Sequence, residues 1–262
     1  MTRRGRLLLS AVAAAWAVVL LGLGYLSARN SPPTAREQRS VAQAAPIVDR
    51  AATLVVTAAW ADAVFAVAPA RLVAGCRLTT FVDGARLSRV VTLYTAAERG
   101  PDLLRQVAGS LPPSFGARVR GRGGVAERIS ADAGEFVAVS GQTLEPGVLR
   151  FTIHTGCRPA SPDLRLDADT GPPPAAGVLG SAAALLGRPA ERGHVSGDGA
   201  TASTQRWDVP RAPIVDALAV LPGAREVVRR DGLVALRLAD ESVIIDRRDG
   251  RTSVAVSSLR RQ

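Results

Sequence analysis

RLVAGCRLTTFVDGARLSRVVTLY, residues 71–94, is the stretch on which the reading of the fold turns. Apolar and β-branched side chains gather in two runs around Asp83-Gly84, and a glycine that accepts positive φ makes this dipeptide a hairpin signal. An antiparallel sheet is therefore expected to begin here. Downstream, PDLLRQVAGSL (101–111) has helical spacing, with Pro101 at an early position, Asp102 in the first turn and Pro112-Pro113 enforcing the stop. Strands are predicted next at 117–122, 135–140 and 148–154, and Cys157 closes the unit.

The second half repeats this order. A short apolar helix is predicted at 175–186, strands at 192–196 and 200–207 around Gly197-Asp198-Gly199, and a helix at 212–221 closed by Pro222-Gly223. Strands at 225–230, 233–238, 242–247 and 252–257 complete it, punctuated by Asp231-Gly232 and Asp249-Gly250. DLLRQVAGSLP and IVDALAVLP, each leading into a strand meander, argue for two similar small α+β modules with antiparallel sheet and helices. The Pro-rich stretch 158–174 between them reads as a linker.

Working upstream, Val41, Val48 and Val55 with Ala44, Ala51 and Ala58 form an apolar stripe of heptad form, preceded by a capping-box pattern at Thr34-Ala35-Arg36-Glu37. Small alanine knobs and the interruption at Pro46 favour a helix packed on its own domain over a self-associating stalk. Before it, Arg3, Arg4 and Arg6 lead into an uncharged apolar run, 7–26, opened by Leu7, ended by Leu26 and followed by Arg29. At about 1.5 Å rise per residue such a run reaches roughly 30 Å, so a transmembrane helix in the lipid bilayer is expected. The leading arginines then place the N-terminus in the cytoplasm and the C-terminal domain outside, as a single-pass plasma-membrane protein. A cleaved signal is the weaker reading, because its apolar region is shorter and needs a small-x-small site close behind. The expected order is a cytoplasmic tail (1–6), the transmembrane helix (7–26), a membrane-proximal helical segment (27–68), a first module (69–157), the linker (158–174) and a second module (175–262).

Cys76 and Cys157 are the two cysteines, and in an exported chain a single intramolecular disulfide is the economical expectation. All 33 basic side chains are arginine, which suggests the codon usage of high-GC Gram-positive bacteria. The chain in this respect resembles their single-pass exported proteins, a resemblance of composition that carries no motif and names no family. The net charge of +10 includes Arg3, Arg4, Arg6 and Arg29. What remains is a moderate basic excess that would suit an anionic lipid or wall polymer, although the interspersed acids favour an ordinary solvated surface, and nucleic acid is not expected at an extracytoplasmic location.

Catalytic constellations are missing from the sequence. Neither GxSxG, HExxH nor SxxK occurs, and His154 and His194 are the whole supply of imidazole. Asp163, Asp167 and Asp169 fail the spacing of an EF-hand loop, so no metal and no cofactor is expected. Gly121-Arg122-Gly123-Gly124 with Arg118, Arg120 and Arg128 could surround an anion with backbone N–H groups and guanidinium forks, but it lacks the Lys-Ser/Thr of a P-loop, and a flexible turn between strands with its arginines facing solvent is the favoured reading. Together these features predict a non-enzymatic binding or scaffolding protein that meets an envelope protein or polymer. The alternatives are an envelope hydrolase with dispersed acidic residues and a sensor of a small extracellular ligand.

Overall fold

Burial alternates residue by residue along much of this chain, and only extended backbone turns such alternation into one apolar face. In Val148–His154, Leu149, Phe151 and Ile153 are buried while Arg150 between them is exposed. The computed structural model describes residues 3–30, 40–79, 82–123, 125–159, 177, 181, 182, 184, 186–209, 221, 223–247 and 251–261. They belong to two compact units, 1–38 and 39–262.

The first unit holds helix α1 (Arg3–Asn30). Its described side chains are Val12 and those over 14–26. Alanines, Gly22 and Gly24 contribute little apolar area to that stretch. No helix among the described residues is long and apolar enough to cross a membrane. The expectation of a transmembrane helix over 7–26 is corrected accordingly, and with it the expected single-pass plasma-membrane location and the orientation drawn from the arginines.

The second unit contains two antiparallel sheets. The larger is built from β1 (Val64–Val67), β2 (Arg71–Thr79), β3 (Val82–Tyr94), β4 (Arg118–Arg122), β5 (Val125–Asp132), β6 (Ala138–Glu145) and β7 (Val148–His154), in the order β1-β3-β7-β6-β5-β4 with β2 also on β3. The smaller has β8 (Glu191–Gly197), β9 (Ala200–Val209), β10 (Arg225–Arg230), β11 (Leu233–Leu238), β12 (Glu241–Asp246) and β13 (Thr252–Arg261), in the order β10-β11-β12-β13-β9-β8. In each sheet a hairpin is followed by a four-strand meander whose last strand lies against the hairpin's second strand.

Helices α2 (Val41–Ala59) and α3 (Gly100–Ser110) pack on the larger sheet. Ser40 caps α2 through a capping box with Gln43, whose amide oxygen accepts the Ser40 N–H at 2.9 Å. The box expected at 34–37 lies outside the described residues. Val41, Ala44, Val48, Ala51 and Val55 are all buried, so the heptad stripe faces the protein's own core.

That core corrects the expected fold class. An α+β chain of two similar modules would bury each half separately, but one cluster joins Val48 and Val55 of α2, Leu104 of α3 and Phe151 of the larger sheet to Val195, Ala202 and Leu259 of the smaller one. Among the described residues the architecture is mostly antiparallel sheet with few helices. The physical reason is β1. Its four residues are all buried, with Phe65 and Val67 in that first cluster and Val64 and Ala66 in a second with Leu233, Ala235 and Ile244. All of the helix predicted at 212–221 except Leu221, and most of the one at 175–186, lie outside the described residues, as does the linker beyond Pro159. Arg158, assigned to that linker, is instead fully buried and bridges Ala85 by paired backbone hydrogen bonds of 2.9 Å.

A buried polar relay fastens β1 to the smaller sheet. Val67 N–H donates to Thr204 Oγ1 at 2.9 Å, Thr204 and Ser257 hydroxyls lie 2.8 Å apart, and Ser257 Oγ–H donates to Phe65 O at 2.7 Å. Each of the four polar groups in this relay has a hydrogen-bond partner, which offsets the cost of burying it. Gly193 lets β8 come equally close, since a Cβ there would stand 2.0 Å from Val67 O.

Cys76 and Cys157 form a disulfide, with Cα atoms 5.9 Å apart. The hairpin holding Cys76 differs from expectation in one detail. Asp83-Gly84 is not its turn but lies within β3, opposite Arg77 and Cys76. Gly84 is required there for space, because a Cβ would sit 2.8 Å from Cys157 Sγ and 2.4 Å from Arg158 O.

Candidate functional site

The face of the larger sheet opposite its helices carries the most distinctive chemistry in the chain. Strand register sets it. Arg120 of β4 stands opposite Arg128 of β5, Arg128 opposite Gln142 of β6, and Gln142 opposite Arg150 of β7. With strands about 4.8 Å apart, this row crosses four strands in roughly 14 Å. A second row runs two residues along: Arg118 opposite Ser130, Ser130 opposite Ser140, Ser140 opposite Thr152. The rows border an open groove of about 370 Å³.

Electrostatics mark the first row as unfinished. Like charges directly opposite on neighbouring strands repel, and Arg120 and Arg128 are such a pair. None of Arg120, Arg128 and Arg150 has a carboxylate partner among the described residues, whereas Arg89, Arg99 and Arg230 are paired with Asp49, Asp62 and Glu145. No carboxylate lines the groove. An anion bridging two guanidinium groups would turn that repulsion into charge-assisted hydrogen bonds.

No family model, curated protein or solved structure matches this chain. The groove's own geometry therefore carries the functional argument.

The residues singled out in the sequence are only partly united. Arg118 and Arg120 are exposed on β4, one in each row. Arg122 pairs through its backbone with Val125, beyond a bulge between Arg120 and Gly121, and its side chain lies outside the described set. The glycines do not wrap a loop around an anion. Gly121 belongs to β4, Gly123 takes a positive φ of 59° in the turn after it, and Gly124 lies outside the described residues. Arg150, Ser140, Gln142 and Thr152 were missed, because only pairing with β5 through β6 brings them beside Arg128. Alternation of polar residues in QTLEPGVLRFTIH was the available signal, and it needed the register to become a site.

His154 continues β7 past Thr152, opposite Ser88 and Ala138. Its Nδ1 accepts the Gly156 N–H at 3.2 Å, and burial, followed by the charge of Arg86, holds its pKa below the ordinary histidine value. His194 lies on β8 in the other sheet, opposite Ser203. Among the described residues no cluster of His, Cys, Asp and Glu could hold a metal ion. Asp163, Asp167 and Asp169 lie outside them.

Proposed function

We propose that this protein is a binding module which holds an anionic partner on the arginine-lined face of its larger sheet. The observation that carries the reading is the opposed pair Arg120 and Arg128, extended by Arg150 on the same row, with no internal counter-charge beside them. Charge placed this way costs stability unless something negative meets it. Groups that could act as nucleophile and base do not converge in the groove, so recognition is a better account of it than turnover.

Titration of the full chain with inorganic polyphosphate at low salt tests the reading. Binding is expected to weaken as salt rises, and Arg128→Gln with Arg150→Gln should weaken it by about tenfold or more, since each removes a charge-assisted contact. Absence of binding by the wild type at low salt, or unchanged affinity in the double variant, would overturn it.

A further inference from the structure

We infer that the groove's occupant is an anionic polyhydroxyl chain, one whose repeating unit carries a carboxylate or phosphate together with free hydroxyls, lying across the strands. This rests on the reading of the face as an anion site and adds what kind of anion it takes.

The second row supplies the argument. Ser130, Ser140 and Thr152 place three hydroxyls on neighbouring strands, two residues and so about 7 Å from the arginine row. A hydroxyl both donates and accepts, as does the Gln142 amide set between Arg128 and Arg150. Ser140 Oγ donates to Thr152 O at 3.2 Å, which leaves its lone pairs free to accept. Arginines alone would suit any polyanion. Groups able to accept as well as donate serve a ligand that carries hydroxyl hydrogens of its own.

The other anionic polymers fit less well. Single-stranded nucleic acid is held by aromatic side chains on which bases stack, and no aromatic residue lines this groove. An acidic peptide is bound by adding a strand to a sheet edge or by apolar pockets for its side chains. Here the row runs inward from β4 across β5 and β6 to β7, perpendicular to the direction an added strand would take. A groove of about 370 Å³ is also within the range that encloses a small polar unit of a longer chain.

Four polymers of matched length separate these outcomes when each is titrated into the full-length protein at about 150 mM salt. Polygalacturonate and poly(glycerol phosphate) carry hydroxyls with carboxylate and with phosphate; polyglutamate and inorganic polyphosphate carry the charges without hydroxyls. At least one hydroxylated polymer should bind about tenfold or more tighter than its counterpart with the same charged group, as expected from a few added hydrogen bonds. Which of the two does so identifies the charged group. Combining Ser130→Ala, Ser140→Ala and Thr152→Val should abolish that preference, the hydroxylated polymer losing more affinity than polyphosphate, and Thr152→Ser alone should retain it. Equal binding of all four polymers, tighter binding of polyglutamate, or a preference that survives the triple variant would overturn the inference while leaving the anion site standing. Failure of every polymer to bind even at low salt would instead remove the anion site itself.

Discussion

Arg237 lies over the indole of Trp60, its guanidinium carbon 4.1 Å from the ring centroid, and donates to the Trp60 and Ala63 carbonyls. Trp60 caps the C-terminal end of α2, and Arg237 belongs to β11, so a single side chain closes the helix end against the smaller sheet. Burial, then the charge of Arg225, pull its pKa down to about 10 against the opposing effect of Asp62, which leaves it protonated through the neutral range. Arg237→Met should cost about 2–4 kcal/mol in urea unfolding, because two carbonyls and a cation–π contact lose their partner. Arg237→Lys should recover little of that loss, since an ammonium cannot serve both carbonyls with a planar fork.

The relay between β1 and the smaller sheet gives an independent handle on the core. Thr204→Val preserves shape but leaves Val67 N–H without its acceptor and the Ser257 hydroxyl with Phe65 O alone, a loss of about 1–3 kcal/mol. Gly193→Ala should be worse, since the added methyl would collide with backbone at Val67. Equilibrium unfolding of both variants, followed at two wavelengths, should show one transition each, because both sheets lose the same seam.

Reducing the Cys76–Cys157 bond frees a loop spanning a sequence separation of 81 residues. Chain-entropy reasoning sets the loss at roughly 3–4.5 kcal/mol at most. Unfolding midpoints with and without reductant measure it. Gly84→Ala is expected to destabilise the oxidised protein and to be milder in the reduced one, where the Cys157 sulfur can move aside.

Acid should weaken the fold partly through His154. A histidine whose folded pKa lies below its unfolded value binds fewer protons folded than unfolded, so its contribution is present above about pH 6.5 and is lost as pH falls below that value. Arg86→Gln removes the smaller of the two causes and should flatten the decline, whereas His154→Gln should remove this residue's share of it. Urea midpoints between neutral and mildly acidic pH distinguish the variants.

Arg128→Thr separates stability from binding. Relief of the repulsion with Arg120 should raise stability by a few tenths of a kcal/mol in the free protein, while affinity for polyphosphate falls. Thermal unfolding with and without polyphosphate would show the two effects moving in opposite directions.

Local patterns were legible in the sequence wherever pairing was local. The strand predicted at 148–154 is β7, and Asp198-Gly199 and Asp231-Gly232 are the turns of their hairpins. Strand β5 was overlooked: VAERISAD puts Glu127 on one face and Arg128 on the other, so polarity alone gives no period of two. The strand expected at 135–140 overran a turn, with Glu135 and Phe136 at φ values of 52° and 58°. Arg89 and Arg158 are buried arginines, and no local signal separates them from the exposed ones, because their partners Asp49, Thr155 and Glu135 come from other segments or from backbone carbonyls. The groove shows the same division. Arg118, Arg120 and Arg128 stand close in sequence and were noticed, while Arg150 joins them only through β6.

Synthesis runs from the N-terminus, and β1 is made long before the sheet that covers it. On the ribosome Val64, Ala66, Tyr94 and Val148 emerge as an uncovered apolar seam whose partners Val228, Leu233, Ala235, Ile244 and Ala255 have yet to be translated. An incomplete chain therefore displays a surface that invites aggregation or a chaperone's grip. Thr204 and Ser257, the two anchors of the relay, sit on β9 and β13, and β13 pairs with both β9 and β12. Release from that adhesive state waits until β13 has left the ribosome.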